Sequence, residues 1–563
     1  MTTEHRNENR SALGTAAMAI LWGFLADLFV NWNQQGMDWA GFAAIPCSLL
    51  CAAECVRFIV QVQDFRAARQ GFRLFQSAGR SLACARFAKL EEIKDAGLLS
   101  AKGVFLGVIL NRRGHAHDVR WNGEGTIVFL GPPKSNKTTS VFIPSILPIK
   151  NASGNDELQS FLFNDPAAEA YMQTHEALRR AGYRVFCLCP NHKELSAKLQ
   201  IPIDDAGLNV WSNLNLDDDS ATVHAVVVDN AEAMLPIEPK MDAKDRFFKE
   251  GARLLFVFVA LYIIASRKIP TPSMMHELLA EGPAGIIQRC TEAQDYRDVL
   301  DGMLAKAASS VLGYAKTAPE QYAGYDGACS EAFRLYDANG VFGTHFTPNG
   351  LNPNVLKEDQ PTAVFVMYQT QKADSQQRAI NLTFTHFINS LANDPRVSRR
   401  VRIYLDETAG IGYLPSFLKM VSEYRKFGLS AALSFQDITG QIERIYGVHA
   451  VREIIAASEV IWASNVREPS TLTMLSEKCG EAVIDDRGMN ASKGNTPYGK
   501  QSLTFNRSFK TRPLLRPDDI RRMDLDQALV IASNLHPFLV QKVPYWTRDE
   551  WAKVTGKNPY KQG

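Results

Sequence analysis

The sequence predicts an α/β fold in which a mostly parallel sheet is covered by helices on both faces. Beyond residue 100, continuous apolar segments alternate with helical segments, and such segments are typical of strands that are buried on both faces. The predicted strands are 125–130, 161–164, 185–188, 363–368, 401–405, 430–434 and 459–462. The first is followed directly by a loop with the composition of a phosphate-binding turn. Together these observations predict a P-loop NTPase core of the RecA-like type.

The phosphate loop lies between strand 125–130 and a helix. Its residues are Gly131, Pro132, Pro133, Lys134, Ser135, Asn136, Lys137, Thr138 and Thr139. In the pattern Gly-x4-Gly-Lys-Ser/Thr, backbone N–H groups surround the phosphates, the lysine reaches the terminal phosphate and the hydroxyl holds Mg²⁺. We therefore predict that these residues bind ATP, with Lys137 at the terminal phosphate and Thr138 at the metal.

Asn136 departs from that pattern, because it stands where the second glycine is expected. Asparagine tolerates a positive φ better than other residues that carry a Cβ, so we expect the loop to close at some cost in strain. The alternative interpretation is an ordinary polar turn between a strand and a helix.

A second element of a nucleotide site is the strand 401–405, which ends in Asp406 and Glu407. In such an element the aspartate positions the Mg²⁺ shell and the glutamate polarises the attacking water. An apolar strand before Asp-Glu is common on its own, since acidic residues often cap the next helix. In combination with the phosphate loop, the pair predicts hydrolysis and not binding alone.

The amino terminus has the composition of a membrane hairpin. Residues 13–30 are apolar over about the length that crosses a bilayer, and the second stretch, 40–62, is interrupted by Pro46, Glu54 and Arg57. Arginines follow the second stretch and none occurs in the connector, so the positive-inside rule places the bulk of the chain in the cytoplasm. The prediction is a multi-pass protein of the bacterial inner membrane. The alternative is a buried helical hairpin in a soluble protein.

Length and charge restrict the function further. A chain of 563 residues has room for two or three domains. Its formal charge of +2 means that any contact with nucleic acid must come from a local basic surface. Nine cysteines are too few for a disulfide scaffold in a chain of this length.

Residues 218–335 differ from the rest because they are helical throughout, and we interpret them as an all-α insertion. The predicted organisation is a membrane anchor at 1–75, the first part of the nucleotide-binding domain at 76–217, the insertion at 218–335 and the second part of that domain at 336–563. Residues 486–505 are rich in Gly, Asn, Ser and Lys and predict a mobile loop.

Taken together, these segments resemble the type IV coupling proteins, the conjugative DNA-transfer ATPases of TraG/TraD type. In that family the Asp-Glu strand is followed by a Gly-Leu-Pro turn, a helix that ends in Arg and a strand that ends in Gln, and 405–436 is similar in the same order. The similarity covers nearly the whole chain. Ala167 and Ala168 replace the Lys-Gly of the family's Asp-Pro-Lys-Gly-Glu segment. The similar segments are 121–147, 164–169, 184–190, 405–415, 424–428, 434–436, 445–447, 512–523 and 536–538.

The resemblance implies particular roles. Asp406 would anchor the metal shell, Glu407 would orient or deprotonate water, and Gln436 would act as a sensor that hydrogen-bonds that water or the γ-phosphate. Arg425 would stabilise charge across a subunit interface, although a surface salt bridge at a helix end is the alternative.

The resemblance also implies partners. A homo-oligomer, expected to be a hexamer, would move single-stranded DNA or a relaxase–DNA complex toward the inner-membrane components of a type IV secretion channel. The competing hypothesis is a docking receptor that binds nucleotide with little turnover, because Asn136 and the altered 165–169 segment would weaken catalysis.

Overall fold

The computed structural model describes residues 85–100, 102–148, 159–368, 373–492, 502–556 and 558, with scattered residues between 20 and 55. Residues Ala85–Gly480 and Pro513–Gly563 form one compact unit, and Glu481–Arg512 belong to a second unit. The nucleotide motifs lie in the first.

An eleven-stranded sheet dominates the first unit. Its strands, in chain order, are β1 (Val104–Leu110), β2 (Ala116–Trp121), β3 (Thr126–Leu130), β4 (Ser160–Asn164), β5 (Arg184–Leu188), β6 (Thr362–Val366), β7 (Val401–Leu405), β8 (Leu429–Phe435), β9 (Ser458–Ala463), β12 (Gln527–Ala532) and β13 (Phe538–Gln541). The spatial order is β2-β1-β13-β12-β9-β3-β8-β7-β4-β6-β5. The strands from β9 to β5 are parallel to one another, whereas β12, β13, β1 and β2 extend the sheet in antiparallel fashion.

The prediction of a mostly parallel sheet is confirmed. Each predicted strand corresponds to an observed one, and their ends differ by at most two residues. The antiparallel extension brings the carboxyl-terminal strand β13 beside β1.

Helices cover both faces of the sheet. In chain order they are α1 (Leu90–Asp95), α2 (Ile143–Ile146), α3 (Glu169–Arg180), α4 (His192–Leu199), α5 (Ser220–Met234), α6 (Ala243–Ala265), α7 (Pro272–Leu279), α8 (Gly282–Ala293), α9 (Met303–Thr317), α10 (Pro319–Phe333), α11 (Ala373–Asn393), α12 (Phe417–Ser422), α13 (Ile438–Tyr446), α14 (Val448–Ala457), α15 (Pro469–Cys479), α16 (Pro517–Arg521) and α17 (Asp549–Ala552).

Neighbouring residues of each parallel strand enter different cores, as the two-residue period of a strand requires. On β3, Val128 and Leu130 pack with the core that includes α5 to α11, whereas Ile127 and Phe129 pack with the core on the other face. The continuous apolar composition of the strand follows from this burial on both faces.

The helical segment between β5 and β6 runs from α5 to α10. Two of its helices begin at aspartate caps: Asp219 accepts the N–H groups of Ala221 and Thr222, and Asp242 accepts the N–H of Asp245. The segment belongs to the same compact unit as the sheet. The domain boundaries at 75, 217 and 335 stay predictions.

The second unit includes strands β10 (Glu481–Ser492) and β11 (Ser502–Pro513), which form a two-stranded sheet. The loop predicted at 486–505 is therefore wrong at both ends, because 486–492 and 502–505 are in strands. Pairing between the two strands satisfies the backbone groups, so the polar composition did not prevent strand formation.

The predicted membrane hairpin at 13–30 and 40–62 lies largely outside the described residues. Among the residues that the structure describes, no helix has both the length and the apolar character needed to cross a bilayer.

Candidate functional site

The candidate site lies at the carboxyl ends of β3, β7 and β8, which are neighbours in the sheet. The phosphate loop follows β3. A helical segment begins at Lys137, and its residues Thr138–Phe142 form a π-helical turn before α2. Single π turns of this kind are frequent at functional sites.

Gly131 opens the loop where another backbone segment passes close by. A Cβ built at this position would lie 2.6 Å from the carbonyl oxygen of Ser464, so only glycine fits. Asn136 has a φ of 62° and Lys134 a φ of 67°, both in the left-handed region. The loop therefore adopts at Asn136 the conformation that a glycine would take at least cost, and a second residue, Lys134, shares the strain.

Lys137 is directed back onto the loop that it follows. Its Nζ lies 2.5 Å from the carbonyl oxygen of Gly131, 3.3 Å from that of Pro132 and 3.1 Å from Oγ of Ser135. The residue is 8% exposed. Burial lowers the pKa of its ammonium group, and the negative charges of Asp406 and Glu407 oppose that change. A cation that is desolvated among carbonyl groups favours the approach of an anion.

Asp406, which directly follows β7, lies beside the phosphate loop. Oγ1 of Thr138 donates a hydrogen bond to Oδ2 of Asp406, although the two residues are 268 positions apart in sequence. Burial raises the pKa of Asp406 to about 6, and the Thr138 hydroxyl and the Lys137 ammonium act in the opposite direction. The structure thus brings Lys137, Thr138 and Asp406 into one cluster.

Glu407 is held by residues that follow the next strand. Nε2 of Gln436 donates to Oε2 of Glu407 at 2.6 Å, and the side chain of Gln441 on α13 also hydrogen-bonds this carboxylate. Burial raises the pKa of Glu407, whereas these hydrogen bonds lower it. A carboxylate with a raised pKa that is oriented by an amide has the properties of a general base.

Arg425 is not part of this cluster. It precedes β8, whereas Gln436 follows that strand, and seven residues at about 3.3 Å each separate the two ends by roughly 20 Å. Its guanidinium lies 3.0 Å from Oε1 of Glu459 and 3.7 Å from Oε2 of Glu124. Its side chain is 59% exposed. A role in the site of a neighbouring subunit stays a prediction.

Two further charged residues lie close to the cluster, and sequence reasoning gave neither of them a role. Asp165 follows β4, whose Asn164 pairs with Leu405 of β7, so it lies at the same sheet edge as Asp406. Burial raises the pKa of Asp165 to about 7, and its Oδ2 accepts the N–H of Tyr171 at 2.7 Å. Lys542 follows β13, and its Nζ lies 3.0 Å from the carbonyl oxygen of Ser135. The position of Asp165 could have been found from the sequence, because it directly follows a predicted strand. The position of Lys542 could not, because the sequence does not show where the antiparallel strand β13 lies in the sheet.

The replacement of the expected Lys-Gly by Ala167 and Ala168 falls in the segment after Asp165. Ala168, the residue before α3, has a φ of 56°. The resemblance leads one to expect glycine at this position, and glycine would take this conformation without the Cβ penalty that alanine carries.

The loop geometry predicts an effect of replacing Asn136. We expect Asn136→Ala to lower the free energy of unfolding by about 1 kcal/mol and to weaken nucleotide binding, because alanine lacks the tolerance of asparagine for a positive φ. Asn136→Gly, the matched variant, should keep or raise both quantities. Chemical denaturation measures the free energy of unfolding, and titration with ADP and Mg²⁺ measures the nucleotide affinity. Equal behaviour of the two variants would show that the conformation at this position is not strained.

Comparisons with known proteins place this geometry in context. The sequence profile of the family described as type IV secretory system conjugative DNA transfer matches residues 86–562. The conjugal transfer protein TraG of Rhizobium radiobacter is 23% identical over 79% of this chain and 64% of its own length. The coupling protein VirD4 of Bartonella quintana is 26% identical over 31% of this chain and 27% of its own length. The chain therefore spans less than two thirds of the length of either relative.

Solved structures show a shared fold. The plasmid coupling protein TrwB in complex with the ATP analogue ADPNP superposes with a TM-score of 0.57 at 15% identity, over 82% of this chain and 93% of its own. TrwB in complex with ADP and Mg²⁺ gives a TM-score of 0.53 at 15% identity, over 75% of this chain and 85% of its own. At this identity the likeness establishes the large, mostly parallel α/β architecture.

Proposed function

Because the chain belongs to the family of type IV secretory system conjugative DNA transfer proteins, we propose that it is an ATPase that couples substrates to a type IV secretion channel. The substrates would be DNA, carried as a relaxase–DNA complex, or proteins, and hydrolysis of ATP would drive their transfer. The observation that carries the proposal is the contact between Thr138 and Asp406 beside the buried ammonium of Lys137. Residues from two distant segments thus lie together in the arrangement that the proposed nucleotide site requires.

ATP and Mg²⁺ fit the residues that are present. The hydroxyl of Thr138 and the carboxylate of Asp406 are oxygen ligands of the kind that Mg²⁺ prefers, and adjacent left-handed and right-handed residues at Asn136 and Lys137 form an anion-binding concavity of backbone N–H groups. Bound Mg²⁺ would neutralise charge on the transferring phosphoryl group.

The protein groups around this concavity have separable tasks. Lys137 would move its hydrogen bonds from the loop carbonyls to the terminal phosphate. Glu407 would hold and accept the proton of the attacking water, while Gln436 fixes the orientation of the carboxylate. The TrwB complexes with ADPNP and with ADP and Mg²⁺ support nucleotide binding by this fold.

Membrane anchoring and assembly complete the proposal. The apolar stretches 13–30 and 40–62 would form a hairpin in the bacterial inner membrane, with the bulk of the chain in the cytoplasm. A homo-oligomer, in analogy to other ring motors a hexamer, would bring Arg425 to a neighbouring site. Membrane fractionation with protease protection of a carboxyl-terminal tag tests the orientation, and a protected tag on sealed inverted vesicles would contradict it.

The competing function is a docking receptor with little turnover. The left-handed conformations at Lys134 and Asn136 favour it, since a strained loop is costly to keep in its binding geometry. The intact pair of Asp406 and Glu407 with its Gln436 contact favours the motor.

The deciding experiment is an ATPase assay on the full chain in lipid nanodiscs, with and without single-stranded DNA. For the motor we expect phosphate release that depends on Mg²⁺ and rises with single-stranded DNA, while duplex DNA of the same length serves as the control. Nucleotide binding without turnover under all conditions would favour the receptor. Absence of both binding and turnover would contradict both functions.

A further inference from the structure

A buried lysine from the carboxyl-terminal part of the chain reaches the phosphate loop. Lys542 directly follows β13 and is 5% exposed. Its Nζ donates to the carbonyl oxygen of Ser135 at 3.0 Å, across 407 positions of sequence. Its backbone N–H donates to the carbonyl oxygen of Asp526 at 2.7 Å, which fixes the start of the side chain. The contact therefore joins the phosphate loop to the end of β13.

The contact fixes the orientation of one peptide group of the loop. The carbonyl of Ser135 and the N–H of Asn136 belong to the same peptide, which is planar and trans, so the two groups point in opposite directions. An ammonium that holds the carbonyl on one side directs the Asn136 N–H to the other side. In a phosphate loop, it is the convergence of N–H groups that makes the concavity for the anion.

The same peptide is the one that the missing glycine would affect. Asn136 has a φ of 62°, and Lys134, on the other side of Ser135, has a φ of 67°. A residue with a Cβ loses conformational energy in this region, so the loop needs an external contact to stay in it. A hydrogen bond from a charged donor is among the stronger contacts available to a carbonyl group.

We propose that Lys542 is a positioning residue of the phosphate loop, which holds the Ser135–Asn136 peptide in the orientation that binds the phosphates of a nucleotide. The inference rests on the nucleotide binding put forward as the function of this site. Lys542 acts through the loop backbone, and its charge adds to that of Lys137 at the site.

The charges that face Lys542 determine how the contact depends on pH. Burial and the positive charge of Lys137 together lower the pKa of Lys542 to about 8, although the negative charge of Asp526 opposes the change. The side chain of Lys542 is therefore largely protonated at pH 7. It loses its positive charge as the pH rises through about 8, a range in which an ordinary lysine stays charged. Nucleotide affinity should therefore fall between pH 7 and pH 9.

The primary test measures the dissociation constant of ADP with Mg²⁺ for the full chain in nanodiscs. We expect Lys542→Met to weaken binding about tenfold or more, since it leaves a buried carbonyl without its charged donor. The matched control is Lys357→Met. Lys357 is likewise a buried lysine, and its Nζ donates to the carbonyl oxygens of Asp394 and Phe427, away from the loop. This control should lose thermal stability without a selective loss of affinity.

A second variant keeps the test informative if Lys542→Met does not fold. Arginine stays charged at pH 9. The affinity of Lys542→Arg for nucleotide should therefore change less between pH 7 and pH 9 than that of the wild type. Equal slopes for the two proteins would overturn the proposal, as would wild-type affinity in a folded Lys542→Met variant. If the wild-type chain itself binds no nucleotide, the proposed function fails together with this inference.

Discussion

Replacing Lys137 with alanine is expected to lower ATP turnover by at least about 10²-fold to 10³-fold, the range for the loss of one preorganised group that stabilises transition-state charge. In the structure its ammonium already lies among the oxygen atoms of Gly131, Pro132 and Ser135, at distances of 2.5 to 3.3 Å. We expect a phosphate that enters the loop to replace these acceptors. Phosphate release at saturating ATP measures the loss of turnover.

The same variant should also bind nucleotide more weakly. The alanine side chain carries no charge, so the substitution removes a buried positive charge. Titration with ADP and Mg²⁺ should therefore show a higher dissociation constant. Lys193→Ala is a matched control, because Lys193 is an exposed lysine on α4. Its turnover should equal that of the wild type. Turnover that persists in a folded Lys137→Ala variant would defeat the motor function.

The convergence of the two nucleotide motifs could be predicted from the sequence, and its reason is geometric. Strands β3 and β7 are continuous apolar segments, which predicts a parallel sheet with both faces covered. The carboxyl ends of parallel strands lie at one edge, so residues that follow them meet. Thr138 and Asp406 therefore share a hydrogen bond although they are 268 positions apart.

Other parts of the site could not be predicted, because they depend on pairings that carry no local signal. The antiparallel pairing of β13 with β12 and β1 places Lys542 at the loop, and the apolar pattern of β13 does not specify its neighbours. The position of Arg425 is different, since it precedes the predicted strand 430–434 and therefore lies at the sheet edge away from Lys137. The strands β10 and β11 have a polar composition that is typical of a loop.

The second large effect is expected for Glu407→Gln, which should reduce turnover by about 10²-fold to 10⁴-fold, the contribution of a general base. Glutamine has the shape of glutamate and still offers an oxygen to Nε2 of Gln436, which lies 2.6 Å from the carboxylate. It does not accept a proton from water. Binding of ADP with Mg²⁺ should therefore stay within about twofold of the wild type, because Lys137, Thr138 and the loop N–H groups are unchanged.

This separation of binding from turnover distinguishes Glu407→Gln from Lys137→Ala, which should impair both. Glu423→Gln is a suitable control, since Glu423 is an exposed carboxylate that follows α12. Single-turnover quenched-flow measurement of ADP formation isolates the chemical step, and equilibrium titration gives the affinity. If Glu407→Gln turned over ATP at the wild-type rate, another group would have to activate the water. The hydrogen bond between Gln436 and Glu407 would then orient a residue that is not used in the reaction.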